Sequence, residues 1–205
     1  RGHKEFVGKA PLRETMAAGF LHEMGFDGSQ VVVDPMCGSG TIPLEATEIA
    51  ARLLPGRSRS FAFEQLVGGG RPQIGHAPMP DLGICAYGMD RNDGAIRGAQ
   101  ANAARAGIAD FCTFQRQAIS DLVPPTDRSG IILVNPPYGG RIGDRKLLFG
   151  LYGALGGVLS EHFAKWRIGI ITSDGGLAKA TGLDLTPMGP VDHSGTKVQL
   201  WRRLP

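Results

Sequence analysis

Apolar residues along this chain recur at two spacings, and the spacings alternate. Between residues 11 and 24, Leu12, Met16, Phe20 and Met24 return every fourth position, which predicts a helix with Pro11 in its first turn and Gly25 just past its end. Val31, Val32 and Val33 form a β-branched run too short for a helix, so they read as a strand. A second helix is predicted over about 42–54. A strand over 84–89 ends on Asp90, and Asn92 or Asp93 caps a third helix that runs to about Ala106 and stops at Gly107. Strands follow at 111–115 and 131–134, then a helix at 147–164 with Leu147, Leu151, Leu155 and Val158 or Leu159 on one stripe. The chain closes with strands at 167–172, 183–188 and 198–203, the last two joined through a polar loop.

Strands that alternate with helices imply a parallel sheet covered on both faces, an α/β fold of the Rossmann-like kind. The alternation is interrupted once. Residues 55–83 hold four prolines, Gly68, Gly69 and Gly70, and the scattered Arg57, Arg59 and Arg71, a composition that predicts an irregular surface insertion. In parallel sheets ligands bind beyond the carboxyl ends of the strands, near the point where strand order reverses. Asp34, Asp90 and Asn135 each stand just past a predicted strand, so three polar residues from distant stretches converge on one edge.

Composition narrows the class without changing this picture. The 205 residues suit a single domain over 1–205, and 42% hydrophobic with 20% charged residues is the balance of a globular protein. No apolar run approaches the roughly 18–20 residues of a membrane span, and the first residues lack the apolar centre of a signal peptide. Cys37, Cys85 and Cys112 have neither disulfide-framework nor zinc spacing, and the histidines His3, His22, His76, His162 and His193 show no ligand pattern; no metal and a cytoplasmic location are expected. A net charge of +3 permits a nucleic-acid partner without requiring one. The chain opens on Arg1 rather than Met, and a longer parent protein is the expectation.

Two segments carry chemistry. In the first, Asp34-Pro35-Met36-Cys37-Gly38-Ser39-Gly40-Thr41 joins a strand to a helix, and its glycines let a ligand approach the backbone beside the helix amino end. A phosphate-binding Walker loop is excluded because no lysine stands between Gly40 and Thr41, and the dinucleotide fingerprint lacks its third glycine, Pro43 standing there instead. Asp90 is placed to accept hydrogen bonds from both hydroxyls of a ribose, or else simply to cap the helix that follows it. Asp34 orients the turn, meets an amino group, or does both. Cys37 has no His or second Cys beside it to activate a thiolate, so a small turn residue is the better account than a nucleophile.

The second segment is Asn135-Pro136-Pro137-Tyr138. Two prolines stiffen the backbone and remove two donors, so the carbonyls there are left as acceptors. The Asn135 side-chain oxygen and the Pro136 carbonyl together suit both hydrogens of one NH₂ group, and Tyr138 offers a face on which a planar base stacks. The alternative is a turn that merely ends a strand.

In these residues the chain resembles the class I methyltransferases that modify RNA guanine at N2, above all the bacterial large-subunit ribosomal RNA guanine-N2 methyltransferases and relatives bearing a THUMP domain. The resemblance rests on residues 34–41, on Asn102-Ala103 and Ala106-Gly107, on 135–141, and on Ala10-Pro11-Leu12-Arg13-Glu14-Thr15 ahead of the core. It implies S-adenosylmethionine as cofactor and a seven-stranded sheet whose last strand is antiparallel. It also implies that Gly38 and Gly40 touch the cofactor together with Pro35, Cys37 and Thr41, that Thr15 lies near its methionine end, and that Gln117 stands where relatives place an acid toward the adenine. Asn135, Pro136 and Tyr138 would be catalytic, with Pro137 and Arg141 against the target. An upstream RNA-binding domain belongs to the pattern and is absent from these residues.

The substrate is less specified. Arg141, Arg145, Lys146 and Arg97 are candidates to steer phosphates, or are ordinary surface charge. RNA, ribosomal in preference to transfer RNA, is the favoured partner of a monomeric catalytic domain. Protein glutamine and DNA adenine present similar NH₂ groups, and a module that binds a cofactor, nucleoside or RNA without catalysis is the alternative outside enzymes.

Overall fold

A computed structural model of the chain describes residues 12–57, 60–66, 68, 70, 80–139, 145–193 and 195–204. The strands are β1 (Val32–Asp34), β2 (Ala86–Asp90), β3 (Cys112–Arg116), β4 (Ile131–Val134), β5 (Arg167–Thr172), β6 (Thr186–Pro187), β7 (Val191–His193) and β8 (Thr196–Arg203). The helices are α1 (Glu14–Glu23), α2 (Thr41–Ala50), α3 (Asp93–Ala106), α4 (Arg145–His162) and α5 (Gly175–Ala180). The sheet runs β3-β2-β1-β4-β5-β8-β6, with β1 to β5 parallel and β8 antiparallel to β5. The expected seven-stranded order with an antiparallel final strand is therefore present. It carries one more short strand, because β7 folds back on β8 as a hairpin.

Alternating side chains of the central strand explain why helices cover both faces. In β4, Ile131 and Leu133 join the core formed with α1, α2 and α3, while Ile132 and Val134 join the core formed with α4 and α5. All four are fully buried, as a strand covered on both sides requires.

Helix ends follow local chemistry. The Asn92 side chain accepts from Gly94 and Ala95 N–H groups and so starts α3, a cap worth about 0.5–2 kcal/mol. The second helix stops at Ala50, four residues short of the predicted end. Arg52 adopts a left-handed backbone (φ 54°), and Leu53 N–H closes back on Glu48 C=O at 3.0 Å. In α4 the buried stripe is Leu148, Tyr152, Leu155 and Leu159, and Leu147 of the predicted stripe is 71% exposed. Adjacent leucines at 147 and 148 offer two possible faces, and the sheet takes the one that also buries the Tyr152 ring. The helix α5 has no counterpart in the predicted elements; its two glycines mask it, and the Asp174 carboxylate starts it by accepting from Gly176 N–H at 2.8 Å.

Among the described residues of the 55–83 insertion, the only regular element is a single 3-10 turn at Ala62–Gln65. Arg57 anchors its start, donating to the Ala106 carbonyl and pairing with Glu48, both at 2.9 Å. No helix among the described residues is long and apolar enough to cross a membrane.

Candidate functional site

Strand order reverses between β1 and β4: the chain goes outward from β1 through β2 to β3, then returns to β4 on the other side of β1. A crevice at the carboxyl ends of these two strands is the expected ligand position. Asp34 ends β1, and Asn135 directly follows β4. The two predicted segments thus flank one switch point.

The turn after β1 is built by hydrogen bonds from both ends. Met36 N–H donates to Asp34 Oδ1 at 3.1 Å, Cys37 N–H donates to Met89 C=O at 2.8 Å, and Gly38 N–H donates to Asp90 Oδ2 at 3.1 Å. Asp90 also accepts from Asn92 N–H through Oδ1 at 2.8 Å. Each of its oxygens has one partner, which leaves lone pairs for two further donors. Asp90 therefore shapes the turn and caps the approach to α3, and keeps capacity for a ligand.

The two glycines of the turn differ in kind. At Gly38 (φ 53°) a Cβ would meet open space, so the backbone of the turn is uncovered there. At Gly40 (φ 83°) a Cβ would press on Ala99 and Phe114 at 3.0 and 3.1 Å, so this glycine serves the packing of α2 against α3 and β3. Pro35, Cys37 and Thr41 are buried around them. Burial raises the Cys37 thiol well above its ordinary range, with the carboxylates of Asp34 and Asp90 adding to the effect. Such a thiol is not a nucleophile.

Asn102 contributes from α3 and was not among the predicted site residues. It is fully buried, donates through Nδ2 to Ser39 C=O at 3.0 Å, and accepts from Arg105. A lone amide on the apolar Ile96–Ala99–Ala103 face of that helix is the sequence signal that marks it.

Gln117 lies beside Asp90, its N–H donating to the Asp90 carbonyl at 3.0 Å. Its side-chain oxygen accepts from Gln115 and its amide nitrogen donates to Asp121 C=O, which leaves one lone pair and one N–H of the amide uncommitted by these bonds. Thr15 is exposed in the first turn of α1, the helix packed on α2, and no hydrogen bond joins it to the turn. Arg141 lies outside the described residues.

On the other side of the crevice, Asn135 Oδ1 is buried without a hydrogen-bond partner. An unsatisfied buried acceptor costs about 1–3 kcal/mol, so such an atom needs a reason. Pro136 is buried and Pro137 half-buried. Tyr138 packs against both cores and is half-buried, and burial raises its hydroxyl above the usual range. Arg145 is 78% exposed, lies over the Phe149 ring at 5.7 Å and stands 3.9 Å from Asp174, a loose surface pair worth little. Arg97 is paired with Asp93 on the exposed side of α3.

Known proteins resemble this chain in sequence and fold. The family model described as RMKL-like, methyltransferase domain, matches residues 1–191. The ribosomal RNA large subunit methyltransferase K/L of Vibrio campbellii is 36% identical over 186 residues, which are 84% of this chain and 26% of that protein. Among solved structures, one of a possible methylase from Clostridium difficile 630 is 28% identical with a TM-score of 0.85, covering 98% of this chain and 54% of that one. Another, SMU.472 crystallised with SAH, is 27% identical with a TM-score of 0.84 over the same shares. The chain thus spans about a quarter of the curated relative and about half of each solved neighbour. With that family model matching most of its length, the chain belongs to the RMKL-like methyltransferase domain family.

Proposed function

We propose that this domain transfers a methyl group from S-adenosylmethionine to the exocyclic N2 of guanine in RNA, ribosomal RNA above all, in the cytoplasm. The observation that carries this reading is the buried, unpartnered Asn135 Oδ1 across the switch point from the open Gly38 turn. The residues present fit the cofactor: an open backbone turn, a half-buried carboxylate with spare lone pairs at Asp90, and a buried carboxylate at Asp34. When bound, S-adenosylmethionine supplies an electrophilic methyl group on a positively charged sulfur.

Each residue then has a task. Asp90 accepts the ribose hydroxyls, and Gly38 and Gly40, with Pro35, Cys37 and Thr41, form the wall behind the nucleoside and methionine. Gln117 borders the adenine edge, and Thr15 approaches from α1. Asn135 Oδ1 accepts one hydrogen of the target NH₂, the Pro136 carbonyl accepts the other, and the nitrogen lone pair is held toward the methyl. Orientation of this kind is worth several kcal/mol in the barrier. Tyr138 stacks on the target base, while Pro137 and Arg141 line its path.

The K/L relatives are about four times longer than this match. We read residues 1–205 as one monomeric catalytic domain that acts on RNA itself and whose hold on the strand a separate RNA-binding domain strengthens. The test is incubation of the protein with methyl-labelled S-adenosylmethionine and, in parallel, unmodified ribosomal RNA, transfer RNA, DNA and protein. Label in ribosomal RNA is expected, and label confined to protein or DNA contradicts the RNA assignment.

A further inference from the structure

Asp34 is 2% exposed at the end of β1, and among the described residues its carboxyl has a single hydrogen-bond donor, the Met36 N–H. The titratable groups that bear on it are Asp90 at the end of β2 and the Cys37 thiol in the turn. The neighbouring strand β4 is wholly apolar, and Asn135 beyond it is neutral. On α2, Glu48 pairs with Arg57, and on α3, Asp93 pairs with Arg97. Among the described residues no lysine, arginine or histidine forms an ion pair with Asp34.

A buried carboxylate with one N–H, no cation and a second carboxylate nearby is an arrangement that disfavours the ion. Burial is the main cause and Asp90 adds to it, against the opposing Met36 bond, and together they raise Asp34 to about 8. The site nonetheless sits where a cation is to bind, since S-adenosylmethionine carries a positive sulfur and an ammonium group.

We propose that Asp34 is uncharged in the free protein and releases its proton as the positive charge of the cofactor binds, so that cofactor capture and a proton leaving to solvent are one linked event. The Asp34 O–H bond breaks, the proton passes to the buffer, and the carboxylate left behind pairs with the bound cation; no electrons change hands. The inference rests on S-adenosylmethionine being the cofactor.

The test is isothermal titration of the protein with S-adenosylmethionine at neutral pH in buffers of different ionisation enthalpy. The wild type releases close to one proton more per cofactor than Asp34→Asn. Its affinity rises by up to about tenfold per pH unit between pH 6 and 7, a slope the variant lacks. Titration with S-adenosylhomocysteine assigns the charge: release persists if the ammonium drives it and vanishes if the sulfonium does, and either result supports the linkage. Because Asn has the shape of the neutral carboxyl, the variant keeps its fold. Infrared difference spectroscopy of the wild type serves independently, with loss of a protonated-carboxyl band on cofactor addition. Equal proton release by both proteins, with no band lost, overturns the proposal and leaves the methyl-transfer reading standing. No binding of S-adenosylmethionine at all overturns both.

Discussion

The two banks of the crevice are built on opposite terms. On the β1–β2 bank the backbone and side chains are tied to one another: Gly38 to Asp90, Cys37 to Met89, Asn102 to Ser39. On the β4 bank, Asn135 keeps its acceptor buried and unpaired. One bank is braced from within by these bonds. The other retains an unsatisfied acceptor, which under the proposed function the target NH₂ group fills. A donor substrate that is the same in every turnover suits a fixed site, whereas the acceptor must be selected by what it can donate.

Substitutions test this contrast directly. Asn135→Ala has the largest expected effect: methyl transfer falls by two orders of magnitude or more, roughly the scale of lost orientation, while calorimetric affinity for S-adenosylmethionine holds. Loss of both to the same extent would make Asn135 a structural residue and erase the distinction between the banks. Asp90→Ala is the converse case. Removing bonds to a charged group, worth about 1.5–3 kcal/mol, weakens cofactor binding roughly ten- to a hundredfold. An unchanged dissociation constant would deny Asp90 its ribose role and leave it a cap for the turn.

Asn102→Ala lies one step back from the ligand. It strands the buried Ser39 carbonyl and lowers unfolding free energy by about 1–3 kcal/mol, with a smaller loss of cofactor affinity. If thermal unfolding is unmoved, the turn does not depend on α3 for its shape. Cys37→Ala has the smallest expected effect, with transfer retained within a few-fold and no inactivation by thiol reagents in the parent protein. A dead variant would restore the nucleophile reading that the raised thiol argues against.

Much of both banks was legible in the sequence, because short apolar runs ending on a polar residue set where the strands stop and therefore where Asp34, Asp90 and Asn135 stand. Helix punctuation was legible too: Asn92 starts α3 through its side-chain oxygen, and Gly107 ends it in the left-handed backbone that the lack of a Cβ permits. What escaped depends on distance in the chain. The Asn102 bond spans 63 residues and Gly38 to Asp90 spans 52, and no local pattern encodes either. The α4 stripe was displaced by one residue because only the sheet decides between Leu147 and Leu148. The different tasks of Gly38 and Gly40 likewise follow from Phe114 and Ala99 packing behind only one of them.

The claim on which the account turns is that the unpaired acceptor at Asn135 receives the N2 amine of guanine. Digestion of ribosomal RNA methylated by this protein, followed by mass-spectrometric identification of the modified nucleoside, tests it most directly. N2-methylguanosine is expected from the wild type and is absent from the product of Asn135→Ala. N6-methyladenosine or a carbon-methylated base in its place would contradict it.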